Sequence, residues 1–118
     1  MKKAILSIAA TLVTLFAFSP LALAHALLVT STPSQHGAVR GPGVAVDLKF
    51  NSRVDGKRSR LVLVFPNGAT QALALIPQPA PEELAARAEL EPGAYTLRWQ
   101  AVAADGHITR GEISFKVQ

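Results

Sequence analysis

His25, His36 and His107 are the three histidines of this 118-residue chain, and two of them stand where further donors can join an imidazole. His107 follows Asp105 with only Gly106 between them. In extended backbone, residues i and i+2 point to the same face, so that carboxylate and that ring can converge on one ion. Gly106 leaves the backbone room to adjust. His25 comes directly after a segment that reads as a removable leader. As the first residue of a processed chain it offers two nitrogens, the α-amine and ring Nδ1, which close a chelate ring on a metal. Reference pKa values of roughly 7.7–8.0 for an α-amine and about 6.5 for imidazole let both groups lose their protons to a metal near neutrality at modest cost. Adding the His107 imidazole and the Asp105 carboxylate makes a set of nitrogen and oxygen donors. In a tetragonal arrangement such a set suits Cu(II), which tops the affinity series for these ligands.

Each of these residues also has a plainer reading. Asp105-Gly106-His107 can be a loop ahead of the last strand, with Asp105 accepting from nearby backbone amides. His36, in the loop from Pro33 to Gly43, reads as a solvated side chain. The composition narrows the metal chemistry further. There is no cysteine, and Met1 is the single methionine, so a processed chain has neither thiolate nor thioether to offer.

The leader is read from its layout. Met1-Lys2-Lys3 is a short positive start, Ala4 to Phe18 is an uncharged apolar run, Pro20 breaks it, and Ala22-Leu23-Ala24 puts small residues at a cleavage site. An uncleaved membrane anchor is the competitor, because Ala4 to Ala24 is uncharged over 21 residues, close to the roughly 20 that span a bilayer. Pro20, the small-x-small site and the lack of positive charge after the run favour cleavage. Ala22-x-Ala24 leaves His25 first; Ala24-x-Ala26 also fits the rule and removes it. The spacing from Pro20 suits the first cut. The expected organisation is a signal peptide over residues 1–24 and one domain over 25–118. Loss of Lys2 and Lys3 leaves ten basic against eight acidic residues, so much of the basic balance belongs to the leader. Arg53, Lys57, Arg58 and Arg60 cluster around Asp55-Gly56 as a solvated loop. No aromatics are interleaved with them, which speaks against a nucleic-acid site.

The remaining chain reads as short strands. Val44, Val46, Leu48 and Phe50 alternate with polar or small residues, as do Tyr95 to Ala101 and Ile113 to Val117. Ala26 to Ser31 is the expected first strand. Leu61 to Phe65 and Thr70 to Leu75 flank Pro66-Asn67-Gly68, and Asn-Gly predicts a hairpin with a type I′ turn. The prolines of Ile76 to Pro81 mark a loop. Glu82 to Leu90 has helix-forming composition, yet Leu84, Ala86, Ala88 and Leu90 alternate, which predicts a strand. About seven strands in an all-β chain predict an immunoglobulin-like or cupredoxin-like Greek-key sandwich or barrel. Leu90 to Tyr95 predicts a tyrosine corner, the hydroxyl bonding back to upstream backbone.

The sequence resembles the CopC family of periplasmic copper-resistance proteins. The likeness runs from His25 and Ser31-Thr32-Pro33 through Leu48-Lys-Phe-Asn-Ser-Arg-Val54 and is strongest from Pro92 to Val117. It implies a cupredoxin-like fold, one Cu(II) per chain held by His25, Asp105 and His107, and a periplasmic, non-catalytic role in copper homeostasis. It also implies an inner-membrane copper-importing partner of the CopD type; the expected state is a monomer. Members that also bind Cu(I) carry a methionine-rich segment, which is missing here, and some have a second histidine where this chain has Leu27. The chain therefore looks like a Cu(II)-only member. Two other classes compete: a copper monooxygenase-like enzyme built on an N-terminal histidine, and a metal-free immunoglobulin-like interaction module. In the enzyme reading, Asp105 would fill a position that an oxygen-activating centre needs open.

Overall fold

The computed structural model describes residues 25–118; the leader expected over residues 1–24 lies outside them. Eight strands form: β1 (Leu28–Thr32), β2 (Gly37–Val39), β3 (Gly43–Phe50), β4 (Arg60–Val64), β5 (Thr70–Leu73), β6 (Glu83–Glu89), β7 (Gly93–Val102) and β8 (Ile108–Val117). They make two sheets, of order β1-β3-β6 and β2-β8-β7-β4-β5, stacked as an immunoglobulin-like Greek-key sandwich. The strand beyond the expected seven is β2, which pairs in parallel with the end of β8. Three residues, Gly-Ala-Val, are too few to display a period, so only the tertiary pairing reveals it.

Alternation decides which side chains meet between the sheets. Val44, Val46, Leu48 and Phe50 of β3 face Leu61 and Leu63 of β4, Leu97, Trp99 and Ala101 of β7, and Ile113, Phe115 and Val117 of β8. Leu48, Leu61, Leu63, Leu84 and Leu97 are at most 1% exposed; burial of each such side chain is worth roughly 1.5–3 kcal/mol. With no cysteine to cross-link the chain, this layer carries the stability. Trp99 lies so close over Gly111 that a Cβ there would meet its ring at 2.5 Å, and its edge packs on Phe50 at 5.3 Å between centroids.

Residues 83–89 are a strand despite their helical composition. An antiparallel ladder to β3 runs from Lys49↔Glu83 to Gly43↔Glu89, and the inward positions Leu84 and Ala86 are buried. Pairing and burial outweigh a helix preference of a few tenths of a kcal/mol per residue. The tyrosine corner forms as expected, with the Tyr95 hydroxyl donating to the Glu91 carbonyl at 2.7 Å. The hairpin between β4 and β5 also forms, but its turn is not type I′. Gly68 N donates to Phe65 O and Phe65 N to Ala69 O, and only Gly68 has positive φ, at 87°. This is a three-residue loop with a glycine bulge. Pro66 favours it, since a ring-fixed φ near −65° suits the first central position of the type I turn that the Gly68 N to Phe65 O bond closes.

One carboxyl pair lies on the outer side of the smaller sheet. A hydrogen bond with Asp47, reinforced by burial and by Asp47's charge, raises the Glu83 pKa above its ordinary 4.5. Asp47 Oδ1 is buried and has no hydrogen-bond partner among the described residues. A raised carboxyl pKa means stability that is complete below pH 4.5 and lost as pH rises through the folded value. Glu83→Gln is therefore expected to raise Tm slightly at neutral pH, a gain that closes below pH 4.5. Thermal melts across that range check it.

Candidate metal centre

At one end of the sandwich β7 turns into β8. Ala103 N donates to His107 O and Gly106 N to Ala103 O, both at 2.8 Å, and Gly106 has φ of 92°. This is the same bond pattern as at Phe65 to Ala69. The likeness extends to the side chains: Asn67 Oδ1 accepts from Ala69 N at 2.9 Å, and Asp105 Oδ1 accepts from His107 N at 3.0 Å. Asp105 and His107 thus converge through a tight turn, not through the alternation of an extended strand. The backbone-bonding role foreseen for Asp105 is real, but it occupies one oxygen. The other, Oδ2, lies 2.8 Å from His107 Nδ1. Both groups are open to solvent, with side chains 38% and 53% exposed. Bonds from the His107 backbone amide and then from its ring hold the Asp105 carboxyl below its ordinary pKa of 3.8, so it stays ionised at neutral pH.

His25 reaches the same place from the start of β1. Its ring lies 5.0 Å from the His107 ring, centroid to centroid, tilted by 41°. The residues that hold it there were not singled out from sequence. Ser52 Oγ donates to His25 O at 3.4 Å, Thr109 Oγ1 to Ala26 O at 2.7 Å, and Asn51 N to Leu27 O at 2.9 Å, while Leu27 N donates to Asn51 Oδ1 at 2.8 Å. Ala26 itself is fully buried. The arm 25–27 is therefore clasped on both sides, by the end of β3 and by the start of β8. Asn51-Ser52 directly after an alternating strand, and Thr109 two residues past His107, were the available signals. Neither distinguishes a clasp from an ordinary loop without the fold.

The structure brings together His25, Asp105 and His107. His36 stays apart: it is exposed, adopts φ of 60°, and precedes Gly37, which pairs with Phe115, about 26 Å along β8 from His107. Among the described residues no three His, Asp or Glu side chains form a ready metal cage. One spacing is that of neighbouring ligands on a tetragonal ion. With metal–nitrogen and metal–oxygen bonds of about 2.0 Å, cis donors in a square stand about 2.8 Å apart, which is the Asp105 Oδ2–His107 Nδ1 separation of 2.8 Å.

Residues 28–118 match the family model described as CopC domain. Copper resistance protein C of Pseudomonas syringae pv. tomato is 30% identical, the alignment covering 90% of this chain and 94% of that protein. Among solved structures, CopC from Methylosinus trichosporium superposes with a TM-score of 0.71 at 28% identity, over 80% of this chain and 94% of that one. PcoC from Escherichia coli, described as a methionine-rich copper resistance protein, gives 0.66 at 27%, over 80% of this chain and all of that one.

Proposed function

Because this chain belongs to the CopC family, we propose that it is an exported, non-catalytic copper(II)-binding protein that sequesters the ion or hands it on. The observation that carries this reading is the meeting of His25 with the Asp105–His107 turn at a solvent-open end of the sandwich. One Cu(II) is held by the His25 α-amine and Nδ1, His107 Nδ1 and Asp105 Oδ2, the last two replacing their mutual contact with bonds to the metal. The carboxylate offsets part of the ion's charge, and solvent access lets copper enter and leave. Copper(II) is favoured over copper(I) by the donors themselves, nitrogen and oxygen with no sulfur in a processed chain.

The α-amine requires cleavage ahead of His25, and the fold supports that cut over the alternative after Ala26. Removing Ala26 would take a fully buried residue out of the core and leave the Thr109 hydroxyl without its acceptor. Export by this leader places the protein in the periplasm, where a membrane partner of the CopD type would receive the copper from a monomer.

Titrating the processed chain with Cu(II) tests the reading. One equivalent is expected to bind, with a tetragonal EPR spectrum carrying nitrogen hyperfine structure and a concentration-dependent rise in Tm. No copper-dependent consumption of hydrogen peroxide with polysaccharide is expected. Absence of any Tm change with stoichiometric Cu(II) would sink the proposal in favour of a metal-free module.

A further inference from the structure

The outer face of the five-stranded sheet carries a basin for which copper binding has no use. Leu61, Leu97, Trp99 and Ile113 point into the core, so their neighbours along the strands point away from it. Register sets these in two rows across β4, β7 and β8: Arg60 beside Gln100 beside Arg110, and Val62 beside Arg98 beside Glu112. They line an open cavity of about 390 Å³.

Three guanidiniums and one carboxylate share this basin. Arg98 Nε donates to Glu112 Oε2 at 3.2 Å and Arg110 Nε to Gln100 Oε1 at 2.9 Å, while Arg60 has no ion-pair partner among the described residues. Anchoring through Nε restrains two of the guanidinium planes. Among the described residues their Nη atoms make no bond, which leaves the outer edge of each fork for an incoming acceptor. That edge matches a carboxylate bidentately, and restraint before binding lowers the ordering cost.

We infer that this basin docks a short acidic segment of a partner protein. Excess positive charge selects the acidic side chains, and Val62 with the aliphatic arginine stems supplies an apolar floor. A flat anionic surface fits less well, because the site is concave and keeps Glu112 among its walls. The basin adjoins the metal turn. Arg110 is about 10 Å along the strand from His107, and Ile108 between them is 48% exposed. A segment seated here places its protein beside the copper, a consequence that rests on the copper reading, whereas the docking itself does not.

An amide NMR titration of the processed chain with a hexaglutamate peptide tests this. Shifts are expected at residues 60, 62, 98, 100, 110 and 112. Combined Arg60→Gln, Arg98→Gln and Arg110→Gln should weaken peptide binding about tenfold or more, while Arg40→Gln, Arg53→Gln and Arg87→Gln, which remove the same charge elsewhere, should leave it nearly unchanged. Equal losses in the two variants, shifts centred elsewhere, or binding to phosphatidylglycerol vesicles in place of the peptide would overturn the inference. Copper titration of the first variant is expected to match the unaltered protein, so a failure of docking leaves the copper reading standing.

Discussion

One residue added ahead of His25 is expected to weaken copper(II) binding on the order of a thousandfold, about 4 kcal/mol, while leaving the metal-free fold intact. The free α-amine gives up its proton near neutrality; the amide that replaces it has its lone pair delocalised into a planar peptide bond. The chelate at His25 is lost, and two imidazoles and a carboxylate remain. The fold should not notice, because among the described residues the His25 nitrogen has no hydrogen-bond partner, and the clasp acts on the carbonyls of His25, Ala26 and Leu27. Competitive titration against a chelator, with EPR on both forms, measures the difference, and metal-free melts provide the control. Equal affinities would remove the α-amine from the ligand set and return the site to side chains alone.

The residues of the candidate centre are legible in the sequence because the chemistry proposed for them is written in residue types. His25 after an expected leader, and Asp105 two residues before His107, nominate donors whatever the fold, and the structure brings their side chains to one end of the sandwich. What was not legible is how they are held. Thr109 bonds a carbonyl 83 residues away, and Asn51 pairs with Leu27 over a separation of 24; local pattern carries no record of such pairings. The turn is a different case. Asp-Gly and Asn-Gly both signal hairpin turns, and Asp105-Gly106-His107 reads either as extended backbone or as a loop ahead of the last strand; the structure takes the loop, closed by the bond from Ala103 N to His107 O. Strand β2 leaves no local pattern, since it exists through its pairing with Phe115 to Val117. Alternation succeeded where burial enforces it, as in β6, whose helix-forming residues yield to the β3 ladder.

Asp105→Asn and His107→Ala are expected to separate the role of the turn from that of the ligands. Asparagine already serves at the equivalent place in this protein: Asn67 Oδ1 accepts from Ala69 N at 2.9 Å, much as Asp105 Oδ1 accepts from His107 N at 3.0 Å. Asp105→Asn should therefore keep the turn and the metal-free Tm, and lose only the anionic oxygen. Affinity for Cu(II) is then expected to fall roughly 10–100-fold, with an altered EPR spectrum. His107→Ala removes an imidazole from a side chain that is 53% exposed, so it too should fold normally, and it should lose more affinity than Asp105→Asn because a strong nitrogen donor is gone. The pH dependence adds a check. Bonds from the His107 amide and ring hold the Asp105 carboxyl below 3.8. A depressed carboxyl pKa keeps the charge present throughout the neutral range and surrenders it only as pH falls below that value. Affinities of the unaltered protein and Asp105→Asn should therefore run parallel between about pH 5 and 8, since the competing protons there belong to the nitrogen donors in both. Affinity curves that converge toward pH 5 would mean that Asp105 takes up a proton there, and that the contact with His107 does not hold it ionised in solution. An unchanged affinity for Asp105→Asn would leave the carboxylate as a turn-former and reduce the copper set to nitrogen alone.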